Sequence, residues 1–546
     1  MYLPSDLHCL PVRDTRARGL ALIILALAPI LFGFLAIYLG QDANWDLRNY
    51  HWYNAYAFLN GRDALDLLPS QTPYFYNPLL DVPFYLVDSH SSAKVAAFFL
   101  GTVQGLNFIL LFMLAHVALV MPNPRHKVIG CAAIAMLGML GGGGISMIGT
   151  TFYDNVTSLG SLLSALLVIR HSPRLLNDIE KKAFALCFLF GLPSGIMMGL
   201  KLTSVIFCVG FCGALFLAQG TWRRRFLLAL GFGLGVLAGV AISLGPWALY
   251  LQTNYLSPLF PYFNELFQSP LAPLTSARDI QYVANNFIDA LFFPFIFADN
   301  PHRVGEIMWR DWRLPILYAL MPLAVITHVI FGRSRTNPNA AAASYAVRYM
   351  FIGMALSYAL WLKMFCIYRY AVPMEMITPL LIVMSVGLLP LKPELRAMVS
   401  IFVLLVIAGS VQAGDWHRRK TWLDHVVEAY IPPLGDTSDM MILMAGFEPY
   451  SHLVTAFPAE IKFVRIQSNF ASPNENKGIN DRLHGRVESH KGRKMILIPP
   501  WQHGLADEAL GYYHFRADWT GCQKVVDHLY DDAMIDLCPL HPMSKP

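Results

Sequence analysis

The chain has 546 residues, of which 55% are hydrophobic and only 14% charged, and its mean hydropathy is +0.45. A soluble protein of this size carries roughly a quarter of its residues charged, so the composition excludes one and indicates an integral membrane protein. Forty-one Lys and Arg against 36 Asp and Glu leave a net charge of +5. That balance gives no reason to propose a nucleic-acid partner, which usually requires a clustered basic face.

Read in chain order, apolar stretches long enough for a hydrocarbon layer of about 30 Å occur at 19–40, 95–120, 129–149, 155–169, 183–200, 202–220, 226–251, 314–332, 344–363, 371–390 and 397–414. These predict about eleven spans, 155–169 being the shortest. The first is longer than a signal-peptide core and has no small-residue cleavage site before Gln41, so it is expected to stay as a helix. Basic residues fall in every second connection. Arg13, Arg16 and Arg18 precede the first span, and Arg125 and Lys127 follow the second. Arg170, Arg174, Lys181 and Lys182 follow the fourth, and Arg223, Arg224 and Arg225 the sixth. Arg333 and Arg335 follow the eighth, and Lys392 and Arg396 the tenth. Positive residues stay cytoplasmic, which predicts an inside N-terminus and an outside C-terminus. The acidic 41–91 loop, with Asp42, Asp46, Asp63, Asp66, Asp81 and Asp88, is then outside.

Beyond residue 414 the chemistry changes: 31 of the last 132 residues are charged against 46 of the first 414. The expected organisation is a cytoplasmic segment 1–18, a membrane body 19–414 with outer loops 41–91 and 252–313, and an extracytoplasmic domain 415–546. Apolar runs Met440 to Ala445 and Lys494 to Ile498, bounded by Gly and Pro, read as strands of a small α/β fold. Gly141 to Gly144 either loosen or tightly pack the outer end of the third span.

Cys131, Cys187, Cys208, Cys212 and Cys366 lie in or beside apolar spans and read as small hydrophobes, and Cys9 as a reduced cytoplasmic thiol. Cys522 and Cys538, the pair in the outer domain, are expected to form a disulfide in an oxidising compartment. No His or Cys cluster has zinc-ligand spacing, so no metal is assigned. A divalent cation is neither indicated nor excluded.

The first outer loop, Gln41-Asp-Ala-Asn-Trp-Asp-Leu-Arg-Asn-Tyr-His-Trp-Tyr-Asn-Ala-Tyr-Ala-Phe-Leu-Asn-Gly61, carries the informative chemistry. As a helix along the membrane surface it places Asp46, Tyr50 and Tyr53 on one face, a carboxylate beside an aromatic wall. Asp46 is a candidate proton acceptor for a hydroxyl. Asp42, four residues earlier, caps the helix or shares the chemistry. Tyr50 and His51 are candidate substrate contacts. Tyr74-Phe-Tyr-Asn-Pro-Leu-Leu-Asp-Val-Pro-Phe-Tyr85 packs at the interface or receives a sugar or lipid.

An acidic motif after the first span, followed by an amphipathic helix closing at Asn-Gly, resembles polyprenyl-phosphate-dependent glycosyltransferases of the GT-C superfamily, in their bacterial integral membrane form. The resemblance covers roughly 19–414. It makes Asp46 the first-loop catalytic carboxylate. Thr151-Phe-Tyr-Asp-Asn-Val156 is similar to the second-loop acidic motif, which brings in Asp154, with a helix cap as its alternative role. Gly199-Leu-Lys-Leu-Thr203 resembles the Lys-containing turn and makes Lys201 a phosphate ligand. Gln252 to Asn264 resembles the Asn-Pro-x-x-Pro-Tyr loop, with Ser257 where Asn is common. Tyr368-Arg-Tyr-Ala-Val-Pro373 is similar to the Arg-Tyr-x-x-Pro element, so Arg369 holds the donor phosphate or else meets a lipid headgroup.

The resemblance implies an all-α polytopic GT-C-like body with a C-terminal α/β domain in the bacterial inner membrane. It implies transfer of a hexosyl or pentosyl group, with inversion, from a polyprenyl-phosphate donor to a glycan, lipid or protein acceptor, with Asp46 acting as base and Asp154 orienting the acceptor or Asp46. A transporter or flippase, or a surface-polysaccharide polymerase or ligase, is the alternative. The suggestive charges gather at span ends and outer loops rather than mid-membrane, and no two similar halves are visible, which favours the transferase over the transporter.

Overall fold

A computed structural model describes residues 14–274, 280–331, 339–473, 475 and 477–543. Cys9, Arg13, Arg333 and Arg335 lie outside the described residues. Among those described, eight helices are long and apolar enough to cross a membrane: Thr15–Leu39, Ala93–Ala118, Glu180–Leu200, Trp222–Tyr255, Arg313–Phe331, Tyr345–Met364, Tyr368–Leu388 and Pro393–Ser410. Several turn bare apolar side chains outward, Leu22, Ile23, Phe34, Ile401, Phe402 and Leu405 among them, and lipid is the solvent that suits such a surface. The chain is a helical, multi-pass membrane protein with a C-terminal α/β sheet domain.

The other three expected spans are also helices, but shorter: Pro124–Met139, Asp154–Arg170 and Val205–Leu217, of 16, 17 and 13 residues. Sixteen residues rise only about 24 Å. The expected span 129–149 therefore breaks at Met139, and the reason is electrostatic. The amides of Gly143 and Gly144 turn to the Glu375 carboxylate at 3.1 and 2.8 Å, and that of Gly142 to Asp311 at 2.8 Å. A Cβ on Gly141 would collide with Glu375 Oε1, so the glycines serve packing and not looseness. Arg313 completes the buried cluster through Asp311 at 2.7 Å. A further helix, Phe287–Asp299, lies in what reads from sequence as an outer loop. Thirteen residues with Pro294 inside are too few and too interrupted for the twenty-residue criterion.

Two helices pack unusually close. Glu180–Leu200 presents Gly191, Gly195 and Gly199 to Trp222–Tyr255, which answers with Gly231, Gly235 and Gly239. Side chains added at Gly191, Gly195 or Gly235 would strike backbone carbonyls of Phe232, Val236 and Phe188. Small residues every fourth position let the backbones approach where lipid offers no hydrophobic drive for association. This contact fixes the height at which Lys201 leaves the first of the two helices.

The C-terminal sheet is built from β3 (Ala429–Tyr430), β4 (Met440–Met444), β5 (Lys462–Arg465), β6 (Arg493–Ile498), β7 (Phe515–Ala517), β8 (Gln523–Asp527) and β9 (Ala533–Pro542). It runs in the order β3-β8-β9-β6-β4-β5, with β7 also on β9. β4 lies parallel to β5 and β6, and β9 is antiparallel to β6, β7 and β8. Every residue of β4 is buried, as a strand covered on both faces requires. Cys522 and Cys538 are joined in a disulfide.

The first loop, Gln41 to Ser91, ties this domain to the membrane body. Its start, β1 (Gln41–Asp42), pairs with β2 (Arg418–Arg419). Leu67 extends the sheet beside β5, its amide donating to Phe463 O at 2.8 Å while its own carbonyl accepts from Arg465 at 3.0 Å. Arg62 and Asp66, an ion pair at 2.7 Å, reach the carbonyl of Ile461 and the amide of Phe463. An edge that would otherwise present unpaired backbone groups is thereby covered.

Candidate functional site

The helix expected over 41–61 is shorter than its sequence suggests. After β1 the chain forms a turn of π-helix at Leu47–His51 and becomes α-helical only over Trp52–Asn60. π-turns leave carbonyls displaced from their usual partners and recur at functional sites. Here the sheet domain takes them up: Ser451 Oγ donates to Asn49 O, and His452 Nδ1 pairs with Arg48 O at 3.0 Å while its Nε2 meets Asp527 at 2.9 Å.

Asp46 stands just before this turn. Its Oδ2 accepts from Arg369 Nη1 at 2.9 Å and from Tyr50 Oη at 3.2 Å, which leaves Oδ1 unengaged by either. Tyr53, expected on the same face, instead donates to Asp66 at 2.9 Å, because the π-turn shifts the register of the face. Asp154 opens its helix but does not cap it. Its carboxylate accepts from Lys201 Nζ at 2.8 Å, and Lys201 also donates to Phe152 O at 2.6 Å. Both ion pairs are largely buried. The two cations lie near the same ring, 5.6 Å (Lys201) and 6.0 Å (Arg369) from the centroid of Tyr370, and Phe152 and Trp416 flank the Arg369 guanidinium at 4.2 and 5.3 Å. Arg369 Nε is buried with no hydrogen-bond partner among the described residues.

Four segments distant in sequence thus converge, and chain direction says where. Asp46 follows the exit of the first span, Lys201 the exit of Glu180–Leu200, while Asp154 and Arg369 stand at the starts of Asp154–Arg170 and Tyr368–Leu388. All four therefore sit at one end of the bundle. Arg125, Arg170, Lys181 and Arg223 flank helix ends at the other.

Asp42 is placed differently. Its oxygens accept from Thr151 N at 2.8 Å, Thr151 Oγ1 at 2.9 Å and the Asn44 side chain at 2.7 and 2.9 Å. Burial pushes its carboxyl up despite these bonds. It braces the first loop against the second; it caps no helix.

The site also holds His51, expected from sequence as a substrate contact, and Asp81 and Tyr76, to which the sequence assigned no role. His51 Nδ1 meets Asp81 Oδ1 at 2.6 Å, both residues buried. Tyr76 packs edge-on to Tyr50 and shares a 2.7 Å hydrogen bond with Tyr262, which brings the 252–264 loop to the site. A thirty-residue separation gives His51 and Asp81 no periodic signal. Glu375 had a signal, since an ionisable residue inside an apolar span is costly and needs a partner; Asp311 and Arg313 precede the span 314–332 and had none. Among the described residues no group of three or more His, Cys, Asp or Glu is arranged to hold a metal ion.

No family model matches the chain, and no curated protein matches it. Among solved structures it is similar to the oligosaccharyltransferase of Archaeoglobus fulgidus tethered through a disulfide to an acceptor peptide containing the NVT sequon. The TM-score is 0.43 at 12% identity, over 93% of this chain and 73% of that one. A likeness this loose does not carry chemistry from one protein to the other.

Proposed function

We propose that the chain is a membrane glycosyltransferase of GT-C type that moves a sugar from a polyprenyl-phosphate donor to an acceptor hydroxyl at the outer face of the cytoplasmic membrane. The observation that carries this reading is the pairing of two cations with two carboxylates, Arg369 with Asp46 and Lys201 with Asp154, buried together at one end of the bundle. Taking such charges out of water is costly, and breaking a buried pair leaves the remaining partner uncompensated. An incoming phosphate gives the cations a new anionic partner, and the carboxylate it displaces regains neutrality by accepting a proton.

The chemistry follows from the exchange. A donor phosphate competes for Arg369, whose Nε has no partner among the described residues, and for Lys201. Asp46 is then released with a free oxygen facing the acceptor. As the acceptor oxygen bonds to the anomeric carbon, the bond from that carbon to the phosphate oxygen breaks, its electron pair leaving with the phosphate, and Asp46 takes the hydroxyl proton. One displacement inverts the centre. Lys201 and Arg369 oppose the charge that grows on the leaving oxygen, and Asp154 holds Lys201 in place. Tyr50, Tyr76 and Tyr370 supply aromatic surface for the sugar.

The basic ends of the helices favour the cytoplasm, which puts the site and the C-terminal domain outside, where lipid-linked sugars and not nucleotide sugars are presented. Purified protein in nanodiscs, given radiolabelled polyprenyl-phosphate sugars, tests the reading. Transfer of label to an acceptor fraction supports it, and movement of label across the bilayer of sealed proteoliposomes without transfer contradicts it.

A further inference from the structure

His51 is buried with only 6% of its surface exposed, and its partner Asp81 with 4%. One ring nitrogen, Nδ1, is fixed by Asp81 at 2.6 Å; the other, Nε2, is enclosed and has no hydrogen-bond partner among the described residues. A buried polar atom without a partner costs free energy on the order of 1–3 kcal/mol, so its persistence needs a reason. Tyr50 and Tyr153 frame the ring, with centroids at 4.0 and 5.0 Å, and the Tyr153 hydroxyl is likewise buried without a partner. The charged groups that face the pair are Lys201 and Arg369 toward His51, and Lys201 and Asp46 toward Asp81. Tyr50 donates to Asp46, the partner of Arg369, and Tyr153 directly precedes Asp154, the partner of Lys201, so the ring lies beside both ion pairs.

Resting on the glycosyl-transfer reading of this site, we infer that His51 Nε2 is a third donor to the phosphate of the lipid-linked substrate, beside Lys201 and Arg369, and that Asp81 is the positioning residue that fixes its tautomer. The proton inventory agrees with that role. Burial pushes the Asp81 carboxyl well above the ordinary range, with Lys201 opposing and Asp46 adding to the rise. Burial likewise holds the His51 ring well below its ordinary range, and Lys201 and Arg369 reinforce this. In the uncharged forms that burial favours, the carboxyl O–H donates to Nδ1 and the ring hydrogen is on Nε2. Which nitrogen carries the proton is set by the bond the other one makes. The dyad thus offers the phosphate an N–H without adding a third positive charge to a site that already has two.

The test is equilibrium binding of a short polyprenyl phosphate, with the uncharged polyprenol as reference, to the full chain in nanodiscs. Wild type is expected to prefer the phosphate, and His51→Phe to lose about tenfold of that preference, the equivalent of one hydrogen bond to a charged group. Asp81→Asn, whose amide N–H still donates to Nδ1, is expected to stay near wild type, and Asp81→Leu to fall with His51→Phe. His51→Gln, which keeps an amide N–H near the same place, is expected to recover part of the loss and guards against a phenylalanine that misfolds the turn. An unchanged preference in His51→Phe overturns the inference, as does an Asp81→Asn variant as weak as Asp81→Leu. A wild type with no preference for phosphate over polyprenol overturns the reading of the whole site, and equal displacement by inorganic phosphate at the same concentration overturns a lipid-linked ligand.

Discussion

Two aspartates four residues apart do different work, and substitution separates them. Asp46 keeps an oxygen free, whereas Asp42 spends both on Thr151 and Asn44. Asp46→Asn retains size but not proton acceptance, so turnover is expected to fall by a hundredfold or more with the fold intact. Asp42→Asn replaces an acceptor facing the Thr151 amide by a group that satisfies it less well. That variant is expected to lose about 1–3 kcal/mol of stability, visible as a lower unfolding midpoint, with its turnover per folded molecule changed far less. The reverse ranking in a turnover assay corrected for folded protein would move the base to Asp42. At Arg369 the expected series is graded. Arg369→Ala weakens donor binding most, and Arg369→Lys restores only part, because an ammonium lacks the planar two-pronged donor set. Equal donor affinity in the two variants would remove the guanidinium from the phosphate site. Asp46 was legible in sequence as a carboxylate just outside the first span, and Asp154, Lys201 and Arg369 through short motifs that resemble those of a known superfamily. The partnerships were not, since Asp46 and Arg369 lie 323 positions apart.

The loop helix Val82–Ser89 is pinned to the chain after the last span by Asp88, which accepts from Val426 N at 3.0 Å and lies 3.7 Å from His425. Burial raises the Asp88 carboxyl from 3.8 to about 6, the Val426 hydrogen bond opposing only in part. The folded state therefore holds this proton more tightly than the unfolded chain does. Stability from this group is full below about pH 4 and is lost as pH rises through 6. The melting temperature of Asp88→Asn is expected to depend less on pH between 4 and 7 than that of wild type; parallel curves would show that Asp88 contributes nothing. At this scale the spans were readable from hydropathy, and β4 and β6 from short apolar runs between turn residues. The π-turn at Leu47–His51 was not readable, because its cause, Ser451 and His452, lies some four hundred residues away.

At the scale of the molecule, the sheet domain and the membrane body form one construction around the first loop. β1 and β2 close one side of it, Leu67 joins the sheet on another, and His452 holds the turn next to Asp46. Hydropathy and the change of composition near residue 414 announced two bodies; nothing local announced that one would position the turn beside Asp46 in the other. The same geometry predicts that alkaline phosphatase fused after residue 546 is active and after residue 335 inactive, because only the outer compartment oxidises the reporter. The opposite pattern would put the site inside.

The central claim is that the two ion pairs at the bundle's outer end are a glycosyl-transfer site waiting for a lipid phosphate. The most direct measurement is single-turnover transfer of radiolabelled sugar from a polyprenyl-phosphate donor by the purified chain in nanodiscs, wild type beside Asp46→Asn. The account predicts label in the acceptor fraction with wild type, and with Asp46→Asn bound donor but transfer slowed by about a hundredfold or more. Wild type that binds no polyprenyl-phosphate sugar, or an Asp46→Asn variant that transfers at the wild-type rate, would contradict it.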